Sequence, residues 1–279
     1  MTGEYNSEVQ ELTLSLLKVF ISISEKYDLR YYFTGGALIG VLRHKGFIPW
    51  DDDIDIGMPR KDYELFLKIM EEEPPDGCAI CNRFTDKDWH FAMSQFIDTE
   101  SEIEIDLAEQ KRQAHIWIDI FPLDGLPSNG FRRWLRVKHI LFYRYLIQIG
   151  HIATQVDSHR SRPWYEKIIL GFFKVVPAGK LLNTEKLLDR LDKVLKKSDF
   201  YTSEYAGNML GRYREKEAVP KRYFGTAQKA KFEELEVRIP EDSHALQTAL
   251  YGDYMTLPPE GKRESHNVKI IKGRLGNRL

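Results

Sequence analysis

Apolar residues at helical spacing open the chain. Val9, Leu12, Leu16, Leu17, Phe20 and Ile23 share one face of residues 8–27 and predict a first helix packed on a sheet. Tyr31-Tyr32-Phe33 reads as a short strand, and Gly35-Gly36 turns it into a helix over 37–44. The period then drops to two. Asp53, Ile54, Asp55 and Ile56 alternate polar and apolar, as a half-buried strand does, until Pro59 and Arg60 end it. Asp62 is placed to cap a helix over 63–70, with Leu65, Phe66 and Ile69 on its apolar side. Further strands are expected at 91–97, 101–107 and 115–120, the last stopped by Pro122.

From residue 131 the pattern becomes helical, aromatic and basic. Residues 131–150 and 163–182 predict a helical pair, and 183–198 an amphipathic helix capped near Asn183 or Thr184. Residues 205–279 mix short strands with a helix near 242–251, and Pro258-Pro259 sets an extended segment. The expected class is α+β, a mixed sheet with flanking helices. The expected division is a catalytic core over 1–126, a basic-aromatic helical insertion over 127–204, and a C-terminal α/β part over 205–279 that completes the core.

Composition narrows the function. The chain has 279 residues, 42% hydrophobic, enough for one large core with an inserted lobe. Its net charge of −1 gives no basis for wholesale binding to nucleic acid, so none is expected as partner. No apolar run is long enough to span a bilayer, and Met1 to Glu11 resembles neither a signal nor a transit peptide. A cytoplasmic protein is expected. Arg132, Arg133, Arg136, Lys138, Arg144, Arg160, Arg162, Lys167, Lys174 and Lys180 lie in the helical insertion, opposed there by Asp157 and Glu166. The bland reading is an ordinary helical lobe. The sharper one is a surface that docks on anionic lipid at the inner membrane face. Cys78 and Cys81 fall in an expected loop and read as reduced thiols; zinc would need further ligands, His90 being nearest.

Chemistry concentrates around residue 53. Side chains two apart on a strand share a face, so Asp53 and Asp55 can grip one divalent cation while Ile54 and Ile56 anchor the strand. A solvated turn explains Asp51-Asp52-Asp53 but not the continuation of Asp55 into an apolar strand. Two-metal chemistry needs another carboxylate. Asp119, inside Trp117-Ile118-Asp119-Ile120, is preferred, because a lone buried charge needs a partner. Glu102, Glu104 and Asp106 are the alternative, read more simply as the wet face of a strand. Metal-assisted phosphoryl or nucleotidyl transfer, with Mg²⁺ or Mn²⁺, is the expected class.

Thr34-Gly35-Gly36, the run Arg43 to Ile56, Ile118 to Gly125, and Tyr251-Gly252-Asp253-Tyr254-Met255 with Pro258-Pro259 resemble the LicD family. The resemblance covers nearly the whole chain. It implies a nucleotidyltransferase-like fold and transfer of an alcohol phosphate, with phosphocholine the best-known group, from a CDP-activated donor such as CDP-choline to a sugar hydroxyl. The acceptor would be a cell-surface glycan or teichoic-acid precursor. Fukutin-type ribitol-phosphate transferases look like distant relatives. Carried over by position, Gly35 and Gly36 would lie near the donor phosphates, and Asp53, Asp55 and Asp119 would bind metal.

Arg43 and Lys45 are candidates for phosphate contacts or are a solvated helix end. Lys262, Arg263 and His266 are candidates for diphosphate or cytidine; His44 reads as a positioning or surface residue. A quaternary ammonium needs aromatic faces, for which Trp50 is the first candidate and Tyr254, Tyr251, Trp89 and Trp117 follow, core packing being the competing role of each. Asp119 is also a possible base. Competing functions are a nucleotidyltransferase passing NMP from an NTP, a ribitol- or glycerol-phosphate transferase, and a catalytically dead scaffold.

Overall fold

A computed structural model describes residues 7–87, 89–107, 110–152, 183–259, 261, 263 and 268–273. The first helix, α1 (Ser7–Lys26), lies where the apolar spacing places it and packs on the sheet through Leu12, Leu16 and Phe20. Strand β1 (Tyr32–Phe33) leads into α2 (Gly35–Ile39), which continues as a π turn over Gly40–His44. This helix begins at the glycines themselves rather than at residue 37. Lys45 ends it in the left-handed region at φ 62°.

Strand β2 (Asp55–Pro59) and helix α3 (Arg60–Glu72) follow directly. The expected cap at Asp62 is corrected. Pro59 is the cap position, with no side-chain bond, because Pro fits a helix start without sacrificing a needed N–H. Asp62 sits inside the first turn, accepting from the Arg30 amide at 2.9 Å and from the Tyr201 hydroxyl.

The expected cysteine loop is also corrected: Cys78–Cys81 is strand β3, paired antiparallel with β4 (Ser94–Leu107). Residues three apart on a strand face opposite sides, so the two thiols do not converge. Strand β4 is one element rather than two. A register shift between Asp98 and Ile103 marks the join, where Asp98 accepts from the Glu100 amide and the Ser101 hydroxyl accepts from the Ile116 amide.

Strand β5 (Gln110–Leu126) runs through Pro122 instead of stopping there. Pro122 falls between two pairings on one edge: β4 pairs back to Ile120, and β6 (Tyr205–Gly207) begins opposite Asp124. The missing N–H therefore costs no ladder bond on that edge.

The principal sheet runs β1-β2-β5-β4-β10, with β10 (Val268–Lys272) on the far side and the β2–β5 pair parallel. Strand β6 also pairs with β7 (Val219–Pro220), and β8 (Gln228–Phe232) forms a separate hairpin with β9 (Leu235–Ile239). The fold is a mixed sheet with flanking helices, an α+β arrangement. Phe20, Phe66 and Phe96 meet edge-to-face in the main core, joining α1, α3 and β4.

Helices α4 (Gly130–Ile152) and α5 (Thr184–Leu195) share a second core of Val137, Ile140, Leu188, Leu191 and Val194 with Leu126 and Met209. Asn183 caps α5 as its sequence predicts, accepting from the Lys186 amide. Helix α6 (Ser243–Tyr251) is likewise capped by Asp242. The segment 163–182, with its predicted helix, lies outside the described residues. Several α4 cations are engaged within the protein: Arg133 stacks on Tyr205, Arg144 donates to the Met209 and Gly211 carbonyls, and Lys138 pairs with Glu215.

Candidate metal and phosphate site

Parallel pairing of β2 with β5 sets Asp55 directly opposite Asp119. Asp53 stands two residues before Asp55, on the same side, while Ile54 and Ile56 are fully buried behind them. The three carboxylates are half-buried, and one oxygen from each lies within 4.8 Å of the others. Among the described residues this is the group able to hold a metal ion. An all-oxygen donor set of this kind fits a hard divalent cation such as Mg²⁺ or Mn²⁺ and ill suits zinc. The alternative acids of β4 point elsewhere: Glu104 pairs across from Lys269, and Glu102 lies 4.0 Å from Lys272.

Neighbours fix these acids in place. Gln95 donates to Asp119 Oδ1 at 2.9 Å, and the Trp117 indole donates to Oδ2 at 3.3 Å. The Thr34 amide donates to the Asp55 carbonyl, tying the entry to α2 against the metal strand. Gly35 is required twice over. Its φ is +55°, and a Cβ there would come within 2.2 Å of Asp55 Oδ2. At Gly36 a Cβ would come within 2.7 Å of Asp51 Oδ2. Gln247, fully buried on α6, donates to the Gly35 carbonyl at 2.9 Å. The first-turn amides of an α-helix have no partner within the helix, and both glycines lie against the acids.

A cavity of about 440 Å³ opens beside this face. Gly35, Gly36, Asp51, Asp53 and Asp55 make one wall of its lining, and the later residues Asn208, Arg212, Tyr213, Glu217 and Tyr251 make a second. The second wall is what sequence reading missed, Tyr251 apart. It comes from an irregular stretch between β6 and β7, where no period marks a face. Its available signal is the Gly207–Gly211 spacing. At Gly207 a Cβ would lie 1.7 Å from the Glu217 carbonyl, and at Gly211 it would lie 2.1 Å from Glu217 Oε1. Glu217 is buried, and desolvation pushes its carboxyl up to about 7. Burial likewise raises the Tyr251 hydroxyl well above its usual range, with Asp55, Tyr213, Glu217 and Asp51 adding to it.

The other predicted residues gather apart from the cavity lining. Arg43 donates to His44 Nε2 and to the Tyr254 carbonyl, each at 2.8 Å. Burial, then the Arg43 charge, lowers the His44 pKa, which suits a neutral imidazole accepting that bond. Trp50 carries the Arg263 guanidinium over its ring at 4.6 Å. Tyr254 is buried with Ile39 and Ile48, its hydroxyl 2.9 Å from His244 Nδ1. Lys45 is exposed, and His266 lies outside the described residues.

With this geometry in view, residues 28–145 match the family model described as LicD/FKTN/FKRP, nucleotidyltransferase domain. That segment of the chain is similar to a LicD domain. Lipopolysaccharide cholinephosphotransferase LicD of Haemophilus influenzae is 29% identical over 270 residues, 94% of this chain and 96% of that protein. An uncharacterized Rickettsia typhi protein is 37% identical over 152 residues, 53% of this chain and 47% of its own length. Human ribitol 5-phosphate transferase FKRP is 40% identical over 42 residues, 15% of this chain and 8% of that protein. The resemblance read from the motifs is thereby shown. The matched segment contains both glycines and all three acids, whereas the rest of the cavity lining from Asn208 to Tyr251 lies outside it.

Proposed function

We propose that this protein is a metal-dependent transferase that moves phosphocholine, or a related alcohol phosphate, from a CDP-activated donor to a glycan hydroxyl, releasing CMP. The observation that carries the reading is the meeting of Asp53, Asp55 and Asp119 beside a glycine turn on one wall of a cavity. The likeness to the Haemophilus cholinephosphotransferase over nearly the whole chain supports the transferred group. The nucleotidyltransferase-like fold is part of the same reading, supported by the matching family model.

Asp53, Asp55 and Asp119 would hold Mg²⁺ or Mn²⁺; when bound, the cation supplies charge neutralisation at the donor phosphates. Gly35 and Gly36 offer backbone N–H groups without side-chain obstruction, and Arg212 adds a guanidinium at the cavity. The acceptor hydroxyl attacks the phosphorus that carries the alcohol. One P–O bond forms, the P–O bond to CMP breaks, and the hydroxyl proton passes to Asp119, the candidate base, or to water. Little covalent work falls to the protein; positioning and charge do most of it. The acceptor is read as a lipopolysaccharide or teichoic-acid precursor. Among the described residues no helix is long and apolar enough to cross a membrane.

CMP release tests this directly. The purified protein would be given Mg²⁺ or Mn²⁺ with CDP-choline, CDP-ethanolamine, CDP-ribitol and CDP-glycerol in parallel, with and without glycan acceptor. CMP from one donor is expected, lost about 10²-fold or more in Asp53→Asn and Asp119→Asn while each variant keeps its fold. Near-normal turnover in either variant refutes the metal assignment. Pyrophosphate release from CTP or ATP would instead favour the nucleotidyltransferase reading.

A further inference from the structure

The cavity lining contributed by residues 208–251 is built unlike a phosphate site. Asp51, Asp53, Asp55 and Glu217 line the cavity, and Arg212 is the one cation among its described lining residues. A metal would neutralise Asp53 and Asp55, but Glu217 belongs to the other wall. There its carboxylate is buried beside two rings. Tyr213 and Tyr251 meet with centroids 4.6 Å apart at 59°, and both line the cavity. Glu217 Oε1 accepts from the Tyr213 amide at 3.3 Å. Arg144 exerts its charge on Glu217, but its own guanidinium is committed to the Met209 and Gly211 carbonyls.

We infer that Glu217, Tyr213 and Tyr251 form a subsite for a quaternary ammonium, which selects a cationic alcohol phosphate over neutral ones. Aromatic faces and a desolvated carboxylate are what such a cation needs: ring quadrupoles attract its diffuse charge, and a buried anion balances it without requiring a hydrogen bond that trimethylammonium cannot give. A ribitol or glycerol chain would need several donors and acceptors instead. The elevated Glu217 pKa fits this role, since an arriving cation restores the ionised form that burial disfavours. The subsite displaces Trp50 and Tyr254 from the part of choline cage. Trp50 already holds a guanidinium on its ring, and Tyr254 is packed among Ile39 and Ile48.

The inference rests on the transferase reading for its biological meaning, but its test does not need turnover. Phosphocholine and glycerol 3-phosphate would each be titrated into the intact protein with Mg²⁺, following the ligand NMR lines. Wild type should prefer phosphocholine. Glu217→Gln, which keeps the shape and removes the charge, and Tyr213→Leu should each weaken phosphocholine by about 10-fold, leaving glycerol 3-phosphate within about 2-fold. Unchanged phosphocholine affinity in both variants overturns the subsite. An equal loss for both ligands overturns it too, assigning Glu217 a merely structural part. Phosphocholine binding that depends on Glu217, in a protein that releases no CMP from any donor, keeps the subsite and sinks the transferase reading. Absence of phosphocholine binding in the wild type sinks the subsite whatever the CMP assay gives.

Discussion

Gly35 ties backbone conformation to chemistry more tightly than any other position. An alanine there must adopt φ near +55° and push its methyl into the Asp55 carboxylate. Gly35→Ala should cost about 1–3 kcal/mol of stability and displace Asp55, a proposed metal ligand, so activity should fall further than melting temperature suggests. Thermal melts and CMP release on the same preparation would check it. Glu217 carries a different liability. Its folded pKa, about 7, exceeds the ordinary 4.5, so folding binds a proton that the unfolded chain releases earlier. Stability is therefore lost as pH climbs from about 4.5 through 7. Glu217→Gln should remove that loss, stabilising the protein by about 3 kcal/mol at pH 8 and by under about 1 kcal/mol at pH 5. Melts at the two pH values measure the difference; equal gains would contradict the assignment.

Arg60 opens α3 and donates two bonds to Asp124 on β5, at 2.8 and 2.6 Å, with a third at 3.3 Å to Asp192 on α5. One buried guanidinium thus joins a core helix, the strand that carries Asp119 and the helical lobe. Asp124→Asn should cost about 3–5 kcal/mol, because it strands a buried charge. Arg60→Met with Asp124→Leu should recover much of that; a double variant as unstable as the single would contradict this, and chemical denaturation reads both. Helices with strong periodicity or a capping residue, α1 and α5 among them, were legible in the sequence. So was the shared side of Asp53 and Asp55, since alternation around Ile54 and Ile56 fixes which way those acids point. Element limits were less so. Pro122 halts a strand only if its N–H is wanted, and β5 changes partners on that edge just there. Cys78 to Cys81 carry no alternation, yet β4 offers them an edge to pair with. Glu217 was illegible for another reason: burial against Gly207 and Gly211 is a tertiary fact with no period to announce it.

Three carboxylates with oxygens held within 4.8 Å repel one another, and a divalent cation between them would relieve that repulsion. Divalent cation should raise the melting temperature. At ten times its dissociation constant the gain is about 1.4 kcal/mol, or roughly 2–4 °C for a chain of this size. Differential scanning fluorimetry with Mg²⁺ and Mn²⁺ would measure it. No shift should remain in Asp53→Asn, and a shift of equal size there would move the ion elsewhere.

The cavity's two walls come from opposite ends of the chain, and synthesis must deliver them at different times. Once β5 has left the ribosome, every acid of the metal face has been made. Tyr213, Glu217 and Tyr251 are still to come. A nascent or prematurely ended chain would therefore display its cation ligands without the wall that would choose a substrate for them.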